Sequence, residues 1–324
     1  MTLETEAVLD RRRLRRRASL WRGLAVLAVA LAIGALVQFG SGTSSMIGDS
    51  RQIARVTIEG IITEDRKQLE LLEKIADARN VEALILFINS PGGTTTGGEA
   101  VYDAIRKVSA KKPVVAQFGT VAASAAYIAG LATDQIVARG NSITGSVGVI
   151  FQWAEVTELL GKVGVKMNTV KSGPLKASPS PFEPVNEASK AVAEEMIQES
   201  FRWFIGLVSE RRGIDAAAVP GLKDGRIYSG REALSHKLVD RIGGEDEAQR
   251  WLEDTRGVTK NLKIVDWKPS REPAFGLLGD GAMAIVRWIG GPTAEAIVRL
   301  IEHRAIATLQ LDGLVAVWQP LENR

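Results

Sequence analysis

The chain has 324 residues, 45% of them hydrophobic and no long low-complexity tract, which excludes a disordered protein and supplies one large core or two modest ones. Its formal charge of +3 and pI of about 9.1 would suit a nucleic-acid partner, but seven arginines against three acidic residues precede residue 40. The leader alone therefore carries +4 and the remainder −1, which removes the electrostatic case for binding nucleic acid; the lack of cysteine excludes disulfides and thiolate chemistry and leaves the compartment open.

Residues 1–22 form a basic leader, and Gly23 to Phe39 is an uncharged, almost wholly apolar run of about the minimum length for a bilayer-spanning helix. Trp21 and Phe39 stand near its ends. Cations before the run and none shortly after it predict an N-terminus in the cytoplasm and a body on the far side of the inner membrane. A cleavable signal peptide is the competing reading, but no A-x-A site ends the run, and an uncleaved single-pass anchor at 23–39 is preferred. Residues 40–51, rich in Gly and Ser, read as a tether.

The body at 52–260 alternates in period. Arg55 to Ile62 is strand-like and Lys67 to Arg79 helical; Ala83 to Ile88 is an apolar strand ending in the turn signal NSPGG, and Glu99 to Val108 is helical. Pro113 to Phe118 then reads as strand, Ala122 to Leu131 as a small-residue helix, Gln135 to Ala138 as strand, and about Glu187 to Arg212 as a long helix. Such alternation predicts an α/β domain whose sheet is covered on both faces. Residues 261–324 add a strand and a helical tail. Ala282 to Ile301 is too interrupted by Arg287, Gly290, Gly291, Pro292, Glu295 and Arg299 for a second span, and two amphipathic helices are expected there.

A Ser/His/Asp triad needs a placed imidazole, and the only histidines, His236 and His303, lie between charged neighbours in helical stretches. The same scarcity speaks against zinc, and no metal or cofactor is expected. Three other segments can carry chemistry. Gly92 and Gly93 of NSPGG can aim backbone N–H groups into a cleft as an oxyanion hole, although Pro-Gly-Gly is also ordinary turn chemistry. Ser124, among alanines between a strand and a helix, can expose its hydroxyl, although serine in such a helix commonly serves packing. Lys171 and Lys176 in VKSGPLKASPSP are either solvated loop lysines or, if one is shielded, a base; lowering a lysine pKa by roughly three units corresponds to about 4 kcal/mol, within reach of desolvation. Lys171, ending a strand-like segment, is expected to face solvent, and Lys176, after Gly-Pro-Leu, to be folded over the cleft.

In chain order, INSPGG, AASAAYIAG, NSITGSVGVI, KSGPLK and GRIYSGREALSHKLVDRIGG resemble the signal peptide peptidase A family of Ser/Lys proteases, from about Val56 to Gly244. The resemblance implies a crotonase-like or Clp-protease-like α/β fold, Ser124 as nucleophile, Lys176 as general base, Gly92 and Gly93 as the oxyanion hole and Ser146 as a lysine-orienting hydroxyl. It further implies hydrophobic peptides such as remnant signal peptides as substrates, and a homo-oligomeric ring in which Ser124 and Lys176 can come from different subunits. Ala125 and Ala126 replace glycines frequent in the family, and Ile128 and Leu175 replace aromatics, which bears on the specificity pocket. The rival readings are a crotonase-fold acyl-CoA enzyme and a non-catalytic membrane scaffold.

Overall fold

The computed structural model describes residues 50–269, together with Trp21 and the strand Val315–Val317. The expected span at 23–39, His303 and the helices expected within 282–301 lie outside the described residues. Two compact units divide the chain at residue 51, nearly all described residues belonging to the second. Among the described residues no helix is long and apolar enough to cross a membrane.

Three strand–helix units open the domain: β1 (Gln52–Ile62) with α1 (Arg66–Asp77), β2 (Val81–Thr94) with α2 (Thr95–Ser109), and β3 (Val114–Ala123) with α3 (Ala125–Leu131). β4 (Gln135–Ala138) and β5 (Ile143–Gly145) follow. A largely irregular stretch holding α4 (Thr157–Lys162) leads to the long α5 (Glu187–Arg212), then β6 (Ile227–Ser229), α6 (Gly230–Ser235), β7 (Arg241–Ile242), α7 (Glu245–Arg256), β8 (Lys263–Asp266) and β9 (Val315–Val317).

The sheet runs β6-β5-β3-β2-β1-β8. β1 pairs in parallel with β2 and β8, and β2 with β3. β3 is shared: Val115–Phe118 pair with β4 and Val121–Ala123 with β5, both in parallel. The edge pairs β5–β6 and β2–β9 are antiparallel. The continuous apolar runs of β2 and β3 follow from burial on both faces. Leu84, Leu86 and Ile88 join Val56, Ile58 and Phe118 in a core shared with α1, α2, α3 and α5, while Ala83 and Ile85 face Trp251 and Leu252 of α7.

The helix at Glu187–Arg212 matches its expected bounds, with Asn186 accepting from Ser189 N at one end and Gly213 left-handed at the other. Its last turn holds the region behind α3 in place. Arg211 donates to the Leu131 and Thr133 carbonyls, and Arg212 forms a two-bonded pair with Asp240 at 2.6 and 3.1 Å.

Three segments differ from expectation: Ala122 and Ala123 extend β3 instead of opening α3, the strand-like run before Lys171 forms no strand, and the expected turn is absent at Asn89–Gly93. NSPGG continues β2 as a bulged strand instead of turning away. The Asn89 carboxamide accepts from the Thr120 and Val121 amides, and the Ser90 hydroxyl donates to the Gly60 carbonyl at 2.6 Å, so side chains take over where the ladder shifts register.

Candidate active site

Ser124 stands at the single-residue junction between β3 and α3. Its φ of 59° and ψ of −121° lie where an L residue is strained by about 1–3 kcal/mol, which the surroundings must offset. The turn is held through the backbone: the Ser124 amide donates to Gly145 O at 2.9 Å, and its carbonyl accepts from the Tyr127 and Ile128 amides at 2.9 and 3.1 Å. Thr94, Asn186 and Ser229 cap their helices with side-chain oxygens, but the Ser124 side chain makes no capping bond to α3. A buried hydroxyl that the helix does not use, on a strained strand-to-helix elbow, suits a nucleophile better than a cap.

The neighbouring ladders end just short of it: Ser90 pairs with Ala122 and Ala123 with Gly145, so Gly92 lies two residues beyond the last β2–β3 pair and Ser146 one residue beyond the last β3–β5 pair. All three lie at the carboxyl ends of parallel strands, where α/β sheets commonly place their sites. Ser146 is also strained, with φ at 51°, and its amide donates to Arg226 O at 3.0 Å.

Gly92 has φ 115°, a left-handed value that favours glycine, and its amide donates to the Ser90 hydroxyl at 3.1 Å. For Gly92 or Ser124 to bind an oxyanion through its amide, that amide must exchange its present acceptor. A Cβ on Gly93 would lie 1.8 Å from the Ile62 carbonyl oxygen, so backbone approaches backbone with no side chain between. Gly93→Ala is expected to destabilise the domain by about 3 kcal/mol or more, read as a lowered urea midpoint, and to abolish activity. The antiparallel partner of Gly92–Thr94 is β9, with Gly93 opposite Ala316, so this edge accepts an extended backbone.

The two lysines exchange their expected surroundings. Lys176 is exposed and has no side-chain partner among the described residues; Ala177 beside it has φ 55°. Lys171 is the shielded one, its side chain 15% exposed and hydrogen-bonded through Nζ to Glu183 Oε2. That bond holds the Glu183 carboxyl below the usual carboxylate range against the opposing effect of desolvation, with lesser help from the lysine's charge and a bond from Thr169. The reading of Lys171 as solvent-facing and Lys176 as folded over the cleft is therefore corrected. The reason is that Gly173 and Pro174 turn the chain outward, with Lys176 N bonded back to Gly173 O, while Glu183 returns to the base of the loop. Within a single copy Ser124, Gly92, Gly93 and Ser146 lie at the carboxyl ends of neighbouring strands, and Lys176 lies in the exposed loop after α4 with no side-chain bond to any of them among the described residues. No periodicity marks Glu183 in its proline-rich surroundings, and sequence reading missed it. His236 ends α6 half-buried, edge-on to the Tyr228 ring with centroids 5.7 Å apart.

A profile describing peptidase family S49 matches residues 106–259, and one describing Clp protease matches 49–141. The chain is 33% identical over 232 residues to a candidate protease of Synechocystis sp., covering 71% of this chain and 84% of the relative. It is 30% identical over 260 residues to a candidate signal peptide peptidase SppA of Enterococcus faecium, covering 76% and 72%. A solved structure of a membrane-bound stomatin-specific protease matches with a TM-score of 0.46 at 16% identity, over 68% of this chain and 99% of the other.

Proposed function

Given that the chain belongs to peptidase family S49, the family of signal peptide peptidase SppA, we propose that it is a membrane-anchored serine endopeptidase working through a Ser124/Lys176 dyad on hydrophobic peptides such as remnant signal peptides. The observation that carries the reading is the strained, uncapped Ser124 at the carboxyl end of β3, between the strand that holds Gly92 and the strand that leads to Ser146. Neutral Lys176 Nζ takes the proton from Ser124 Oγ as that oxygen attacks the scissile carbonyl, and returns it to the leaving amine. The tetrahedral oxyanion is held by amides of the Gly92–Gly93 segment. Water activated by the same lysine then releases the acyl group from Ser124, and Ser146 orients the lysine.

The exposure of Lys176 supports a dyad completed between copies of a ring, the lysine of one reaching the serine of the next. Exposed apolar side chains crowd the stretch from Ile150 to Trp203, among them Leu159, Val163, Met167 and Val170. Exposed apolar side chains in such number are what neighbouring copies would cover. The pairing of β9 on Gly92–Thr94 supports a substrate bound as an extended strand.

Incubation of the full chain with synthetic signal peptides and, separately, with CoA thioesters tests the reaction class. Peptide cleavage without thioester hydrolysis is the expected result; thioester turnover alone would replace the reading with an acyl-CoA enzyme, and neither activity would favour a scaffold. For topology, a reporter fused after residue 45 is expected to prove extracytoplasmic, because the arginine cluster precedes the apolar run at 23–39. A cytoplasmic reporter would overturn that orientation.

A further inference from the structure

We infer that the Lys171–Glu183 ion pair is a positioning clasp that closes the base of the 171–183 loop and presents Lys176 for catalysis. The inference rests on the reading of Lys176 as the base. The pair joins residues twelve apart in sequence across a loop with no helix or strand of its own. Inside the loop the backbone makes only short-range bonds, Lys176 N to Gly173 O at 3.1 Å and Ser178 N to Leu175 O at 3.3 Å. Near its end, Pro181 O accepts from Val156 N at 2.9 Å, which fixes one strand of the loop and leaves the other to the ion pair.

Burial separates this pair from an ordinary surface contact. From Gly161 to Ala177 every residue is exposed except Lys171 and Gly173, which are half-buried. A shielded lysine in so open a stretch is held there by its partner, and exposed pairs, which contribute little, do not take that form. A base reached by a flexible loop loses rate through misplacement, since about 1 Å of error can cost on the order of a hundredfold. A clasp at the loop's base limits that error without either residue touching substrate.

The test compares Lys171→Met, Glu183→Gln and the exchanged pair Lys171→Glu/Glu183→Lys in the full-length protein, with a synthetic signal peptide as substrate. Each single variant is expected to lower kcat at least tenfold with KM within about twofold and an unchanged unfolding midpoint, and the exchange to restore most of kcat. Single variants with the parent kcat, a loss carried by KM, or an exchange no better than the single variants would each overturn the clasp. Lys176→Ala separates the two levels of the argument. If it is inactive while the pair variants behave as the parent protein, only the clasp fails; if it is active, the reading of Lys176 as base fails and the clasp has nothing to position.

Discussion

Ser124→Ala is expected to reduce peptidase activity by about 10⁴-fold or more while leaving the fold intact. Removing a nucleophile eliminates the acyl-enzyme path altogether, so what remains is whatever binding and backbone amides can do for direct attack by water. The structural cost is small for a specific reason. Loss of a side-chain cap generally costs about 1 kcal/mol, but the Ser124 side chain makes no capping bond to α3, and the elbow is held by backbone bonds to Gly145, Tyr127 and Ile128 that alanine preserves. Urea midpoints within about 0.3 M of the parent, with no cleavage of a signal peptide, are the expected pair of results. Normal cleavage by the alanine variant would remove Ser124 from the mechanism.

Lys176→Ala and Lys176→Arg are both expected to lose activity by about 10³-fold, measured as kcat on the same peptide. Alanine removes the proton acceptor. Arginine keeps charge and length, but its guanidinium stays protonated in a protein and cannot act as a base. Because Lys176 is exposed and has no side-chain partner among the described residues, neither substitution should disturb the core. A fully active arginine variant would show that the residue contributes charge and not proton transfer.

Much of the fold was legible in the chain because β2 and β3 are largely buried on both faces and α1, α2 and α7 on one. The runs at Ala83–Ile88 and Pro113–Phe118, and the long pattern at Glu187–Arg212, carry their periods without competition from local side chains. At NSPGG local chemistry reads as a turn, and only long-range bonds from Asn89 to Thr120 and Val121, and from Ser90 to Gly60, keep the strand going. No local pattern can report partners some thirty residues away. The place of Ser124 at a strand–helix boundary was legible, but its proposed role was not: a serine among alanines reads locally as packing, and only the ordered set of family motifs singles it out.

The surroundings of the two lysines were not legible. Between Gly161 and Ser180 the one strand-like run, before Lys171, forms no strand, so nothing local distinguishes a shielded lysine from an exposed one. What separates them is Glu183, and its pairing with Lys171 depends on how the loop closes. Reading Gly-Pro-Leu as a cover over the cleft treated a turn as inward when it leads outward.

Labelling of the assembled protein by a fluorophosphonate, followed by identification of the modified residue, tests the Ser/Lys dyad most directly. The reagent reacts with a serine only when a base removes its proton, so it reports nucleophile and base together, independently of any peptide's fit. A single adduct on Ser124 is expected in the parent protein, and none on the same timescale in Lys176→Ala. An adduct on another serine, or labelling of Lys176→Ala at the parent rate, would contradict the dyad.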